Sequence, residues 1–136
     1  MESRFLKICV VLILIWNSTF SGNTERLPGI LENIVSAIKS GNSKVFASYF
    51  STTVEITLPG NEGTFSKLQA EMIFKDFFSK NSPVSFTVDQ KGVSTGGTQF
   101  IIGTYKSSNK KYKTYILLKP IDGQMLIQQI QFEIDY

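Results

Sequence analysis

Few side chains in this 136-residue sequence could do chemistry, and their types limit what that chemistry would be. There is no histidine, and the single cysteine and single tryptophan, Cys9 and Trp16, both lie in the first 21 residues. A polypeptide beginning at Gly22 has no thiolate nucleophile, no Ser-His-Asp triad, no imidazole base, no disulfide and no zinc site of the usual ligand types. Proton transfer would then fall to a carboxylate paired with a tyrosine, a desolvated acid acting as base while a phenol stabilises an oxyanion. Glu55 is the candidate acid. It lies in the alternation Val54, Glu55, Ile56, Thr57, Leu58, which turns it away from the apolar residues and toward solvent. No residue is therefore assigned a catalytic role, and neither a metal nor a cofactor is expected.

A second set is the lysines Lys106, Lys110, Lys111 and Lys113, interleaved with Tyr105, Tyr112 and Tyr115. Such a composition can grip a chain of anions and stack rings on aromatic faces. The plainer reading is a solvated hairpin tip that resists edge-to-edge pairing. A third set is aromatic. Phe46, Tyr49, Phe50, Phe74, Phe78 and Phe100 are candidates to line an apolar pocket, with Phe77, Phe86 and Phe132 in the same group. The same rings would also serve to fill a core, since interiors are close-packed. The glycines from Gly92 to Gly97 lack the Lys-Ser/Thr ending of a phosphate loop and fall between strands, which makes them a turn.

Arg4 and Lys7 precede an apolar run from Ile8 to Trp16, and the polar stretch from Asn17 to Gly22 follows. This is the charged, apolar, small-residue order of a secretory signal, with cleavage expected after Ser21. The run is about half of the roughly 20 residues that span a bilayer core, so stable membrane insertion is not expected after cleavage. Cys9 comes too early to be a lipid-anchored cysteine, with seven more apolar residues after it, and the sequon Asn17-Ser18-Thr19 falls inside the signal. The expected product is one domain, residues 22–136, periplasmic or secreted. Arg4, Lys7 and Glu2 leave with the signal, and the remainder carries a net charge of +2. Despite a whole-chain pI near 9.0, that balance does not argue for nucleic acid or an anionic membrane. For an exported protein the lysine hairpin would instead meet an anionic surface polymer.

After a polar lead-in, Pro28 opens a helix whose Ile30, Leu31, Ile34, Val35 and Ile38 recur at helical spacing, ended by Lys39 and Gly41. Ser43 is positioned to cap a short second helix carrying Val45, Phe46, Tyr49 and Phe50. Val54 to Leu58 reads as a strand, closed by Pro59 to Gly63, with Thr64-Phe65 as a brief return. Ser66 and Gln69 form a capping box for the longest helix, which carries Leu68, Ala70, Met72, Ile73, Phe74, Phe77 and Phe78 and stops before Asn81-Ser82-Pro83. Its wide apolar arc suits a helix wedged between a sheet and another element. From Val84 the period switches to two: Val84/Phe86/Val88, Phe100/Ile102 against Ile101, Tyr112 to Leu118, then Leu126/Ile130/Phe132/Ile134, a four-stranded meander. On the last strand Gln129, Gln131 and Glu133 face away from Ile130 and Phe132, beside Gln128. They form a polar outer surface that meets either water or a second copy. The fold class is α+β: about three N-terminal helices packed on a curved antiparallel sheet of four long strands plus a short hairpin.

Particular stretches carry a resemblance beyond this order. They are Ile38-Lys39-Ser40-Gly41-Asn42, Ser66 to Glu71 leading into Phe77-Phe78-Ser79-Lys80, Gly96-Gly97 to Ile102-Gly103-Thr104, Tyr115 to Lys119, and Ile127 to Ile130. Together they resemble the nuclear transport factor 2-like superfamily, a cystatin-like α+β roll, and more narrowly a secreted bacterial family, domain of unknown function 4783. The resemblance implies a cone-shaped roll with a cavity between the helices and the concave sheet face, and a tendency to dimerise through the sheet. It also implies a choice of roles, because related domains include ketosteroid isomerases as well as many that only bind. Glu55 lies on the strand after the second helix, where those isomerases carry their base. They also place a tyrosine in the first helix, whereas the buried side here holds only Ile30, Leu31, Ile34, Val35 and Ile38. The favoured expectation is an exported, non-catalytic binding or scaffolding domain, taking a small apolar ligand or an envelope protein and pairing as a homodimer. A histidine-free isomerase or lyase and a binder of anionic polymers are the alternatives.

Overall fold

The computed structural model describes residues 29–136. The signal peptide at residues 1–21, the polar lead-in and Pro28 lie outside the described residues.

Helix α1 spans Ile30–Lys39 and buries Ile34, Ala37 and Ile38. Its end is a Schellman motif: Gly41 N–H donates to the Ile38 carbonyl at 3.0 Å and Asn42 N–H to the Ala37 carbonyl at 2.9 Å. Gly41 has φ +65°, and a Cβ there would come within 3.3 Å of Pro83, so both conformation and space call for glycine. Helix α2, Ser43–Ala47, is capped by Asn42 rather than Ser43, the Asn42 side chain accepting from Val45 N–H at 3.1 Å. The residue that finishes one helix therefore starts the next, a coupling that Ser43 as cap would not allow. Phe50, expected in this helix, begins strand β1 instead, and is buried all the same.

Strands β1 (Phe50–Leu58) and β2 (Asn61–Ser66) are longer than the expected short hairpin. The Ser66–Gln69 capping box forms as expected, at 3.2 and 3.1 Å. It opens α3, Lys67–Lys80, which buries Ala70, Phe74, Phe77 and Phe78. Leu68 and Met72 on the same helix remain 68% and 55% exposed, so the apolar arc is only partly covered. The meander follows as β3 (Ser85–Val93), β4 (Gln99–Lys106), β5 (Lys111–Ile121) and β6 (Gln124–Ile134). Val84 stays outside β3 and exposed. The two-residue turn Asp122-Gly123 has positive φ at both positions, the primed geometry whose twist matches a hairpin.

All six strands belong to one sheet, in the order β2-β1-β6-β5-β4-β3. The correction to the expected four strands plus a hairpin is that β1 runs parallel to β6, joining the N-terminal hairpin to the meander. Ile56, Ile130, Ile116 and Ile101 lie opposite one another across four strands and are fully buried. This row runs across the middle of the concave face. Three irregularities shape the sheet: a bulge at Asp89, where the β3–β4 register shifts, another at Gln128, where β5 and β6 slip by one residue, and a shift of the β1–β6 register between Phe50 and Glu55.

Candidate functional site

The concave face closes over most of its area with rings. Phe46 meets Phe50 and Phe74 edge-on, at centroid distances of 4.9 and 5.0 Å. Phe74 lies 5.8 Å from both Phe78 and Phe132. Phe77 reaches Phe132 at 5.1 Å and Tyr112 at 5.3 Å. These are the tilted and edge-to-face arrangements that aromatic quadrupoles favour. Four candidate lining residues, Phe46, Phe50, Phe74 and Phe78, are thus brought together and buried, each against other rings. Tyr49 is not among them. It borders a separate shallow cleft with Asn33, Ser36 and Val45. Phe100 lies on the opposite face of the sheet, its ring over Gly92, where a Cβ would come within 2.6 Å of it.

Two of the hairpin tyrosines also turn inward. Alternation puts Tyr105 and Tyr112 on the concave face, opposite each other and fully buried. The Tyr105 hydroxyl donates to the Asn81 backbone carbonyl, and the Tyr112 hydroxyl to Asn81 Oδ1 at 2.8 Å. Asn81 in turn donates to the Phe77 carbonyl at 3.2 Å. The two phenols therefore tie the C-terminal end of α3 to β4 and β5. Burial, and secondarily the neighbouring Tyr112, pushes the Tyr105 hydroxyl well above the ordinary tyrosine range; burial raises Tyr112 as well. Of the ring-stacking set only Tyr115 is left on the outer face. Lys111 is paired with Asp135 at 3.3 Å, and Lys113 stands opposite Glu133, so part of the basic hairpin is already matched by acids.

Glu55 is exposed on the outer face, between Thr64 and Gln129. Among the described residues the buried polar side chains are Ser51, Ser107 and Thr114, with no carboxylate. A desolvated acid beside a phenol, the requirement of the isomerase alternative, is thus not assembled by these residues. No three metal-ligating side chains gather among them, and none of their helices is long and apolar enough to cross a membrane.

One part of the concave face is not closed. Between α1 and β3 runs an open groove of about 600 Å³. Leu31 and Val35 from the helix and Val88 from the sheet make its apolar floor, over the fully buried Ile101. Glu32, Ser36, Lys39, Asp89, Gln90 and Lys91 stand around its rim. The sequence marks Leu31, Val35 and Val88 as core by their periodicity; it carries no signal that they stay only half-buried. The convex face has a second uncovered apolar area. Phe100 and Leu117, then Ile102 and Tyr115, form adjacent half-buried cross-strand pairs beside Gln129 and Gln131. The polar outer surface expected from the last strand is therefore polar on β6 and apolar on β4 and β5.

Comparison with known proteins places this geometry. Solved structures similar to the chain include a DUF4783 family protein from Bacteroides uniformis, with TM-score 0.75 and 23% identity over 79% of this chain and 99% of that one. Another, from Bacteroides ovatus, gives TM-score 0.72 and 27% identity over 76% and 94%. More distantly, an NTF-2 like protein of unknown function from Silicibacter pomeroyi gives TM-score 0.55 and 12% identity over 77% and 89%, a likeness of fold alone. No curated protein matches the chain. The family model described as "Domain of unknown function (DUF4783)" matches residues 31–133, nearly the whole described structure, and the chain belongs to that family.

Proposed function

We propose that this chain is an exported binding domain without catalytic activity, which takes a small apolar ligand in the groove between α1 and β3. The observation that carries the reading is the groove itself. It has an apolar floor and a polar rim on a face otherwise filled by interlocking rings, the composition expected of a small-molecule site. Residues 1–21 supply the address, by the signal-like order of charge, apolar run and small residues. The half-buried Phe100, Ile102, Tyr115 and Leu117 support pairing of two copies through the outer face of the sheet, since contiguous apolar area on a soluble domain favours association. The isomerase alternative loses its acid, because Glu55 faces solvent. The anionic-polymer alternative loses two of its three stacking rings to the core.

Native mass spectrometry of the protein recovered from its own cell envelope tests the reading in one measurement. The expected result is a chain beginning at Gly22, a dimer mass, and a small apolar adduct released on activation. An uncleaved chain would refute export by this signal, and a ligand-free protein from the native source would refute the groove as an occupied site.

A further inference from the structure

If the groove is the binding site, as proposed above, the side chains that turn into it set the chemistry of its occupant. On α1 they are Leu31, Val35 and Lys39, which recur at i, i+4 and i+8 and so share one stripe of the helix. On β3 they are Val88 and Lys91. Val88 stands opposite Gly103, and Lys91 stands opposite Ile101, which is fully buried on the concave face. Strict alternation would put residues 88 and 91 on opposite faces of the sheet. The bulge at Asp89 removes that conflict. Its extra residue shifts the register by one and brings Lys91 round to the groove, the re-aiming of a side chain for which bulges serve near functional sites.

The same extra residue carries an acid away. The Asp89 carboxylate accepts from the Thr104 hydroxyl at 2.7 Å, and Thr104 stands opposite Lys113 on the convex face. The other acid at the rim, Glu32, bends back over the start of its own helix, where a Cβ on Gly29 would collide with its Oε2. A carboxylate there complements the helix dipole. Lys39 and Lys91 have no acid in this way, since the two ion pairs among the described residues lie elsewhere, at Lys80–Asp76 and Lys111–Asp135. The charge turned toward the groove is therefore positive. Both lysines are exposed, and a lysine so placed lends its aliphatic stem to an apolar lining while its ammonium stays in water at the mouth. Along α1 the lining runs from Leu31 to Lys39, about 12 Å at the helical rise per residue, which suits one hydrocarbon chain of medium length. A cationic head on such a chain is repelled by both lysines, and an anionic head is attracted by both. We infer that the groove captures a single-chain amphiphile with an anionic head group, of the fatty carboxylate or alkyl sulfate kind.

The test uses the full chain as recovered from expressing cells and four probes with one ten-carbon chain: decanoate, decyl sulfate, decyl maltoside and decyltrimethylammonium, each below its micelle concentration. In ¹H–¹⁵N correlation spectra the two anionic probes are expected to shift amides of residues 31–39 and 88–91. They should bind about fivefold tighter than decyl maltoside at low salt, with decyltrimethylammonium weakest. The preference should shrink as salt is raised. Lys91→Glu, at an exposed position, should abolish it. Lys110→Glu, also exposed but outside the groove, makes the same change in net charge and should leave the preference intact. Equal affinities for all four probes, or a preference lost to the same extent in Lys110→Glu, would overturn anion selection while leaving the groove as the binding site. Shifts confined to Phe100, Ile102, Tyr115 and Leu117, or no shifts with any probe, would overturn the groove reading and this inference together.

Discussion

The concave face has two regions built from the same kinds of residue and brought to different ends. Under α3 the apolar side chains are large and flat, and Phe46, Phe50, Phe74, Phe77, Phe78 and Phe132 interlock until no ring lacks a neighbour. Along one side of α1 they are aliphatic, and Leu31, Val35 and Val88 stay half-buried beside a trough between helix and strand. Hydrophobicity is similar in the two places. What differs is coverage: α1 packs Ile34 and Ile38 fully into the core, and only its Leu31 and Val35 side stays half-buried. One region is therefore filled by its own side chains and the other is left open.

The comparison breaks first at its filled half. Phe74 touches five other rings, so Phe74→Ala should cost about 3–5 kcal/mol of unfolding free energy in a urea titration. A loss below about 1 kcal/mol would mean that the ring cluster is not the tight centre described here.

A smaller effect is expected where the filled half is tied to the end of α3. Tyr105→Phe leaves the Asn81 carbonyl without its phenol donor and should cost about 1–3 kcal/mol. The pH dependence has a definite sign. In the unfolded chain these hydroxyls ionise at the ordinary value of 10.0, while burial keeps them neutral above it in the fold. Their contribution is thus fully present below pH 10 and is lost as pH rises through the folded values. Melting temperatures should be level up to about pH 9 and then fall, less steeply in Tyr105→Phe; parallel curves for the two proteins would exclude this pair as the cause.

The smallest expected effect belongs to the open half. Leu31 is only half-buried, so Leu31→Ala should cost about 1 kcal/mol or less, well under the 2–5 kcal/mol typical of a leucine deleted from a packed core. The same substitution should weaken binding of a ten-carbon amphiphile severalfold. A cost as large as that of Phe74→Ala would show the groove to be core after all.

Much of this arrangement is legible in the residues. Ser66 and Gln69 announce the start of α3, Gly41 the end of α1, and the change from period 3.6 to period two marks where helices give way to the meander. The errors share a physical origin. Alternation separates Tyr105 and Tyr112 from Lys106 and Lys111, but it does not say that the tyrosines are on the concave side. The lysine-rich composition of that hairpin drew all of them toward solvent. Residue type alone groups Phe100 with the pocket residues, whereas its place in the alternation, between Gln99 and Ile101, sends it to the other face. The parallel contact of β1 with β6 left no trace in either strand, since periodicity identifies a strand and not its neighbour.

By itself the sequence determined the elements and their order, because caps, turns and periodicity act within a few residues of one another. It also set the chemical repertoire, since a described domain without histidine or cysteine has only carboxylates, amines and phenols to work with. Only the tertiary structure decided which apolar residues would be covered and which left open. The trough lies between Leu31 and Val35 on α1 and Val88 on β3, residues distant along the chain, so no pattern within a few residues of one another reports it.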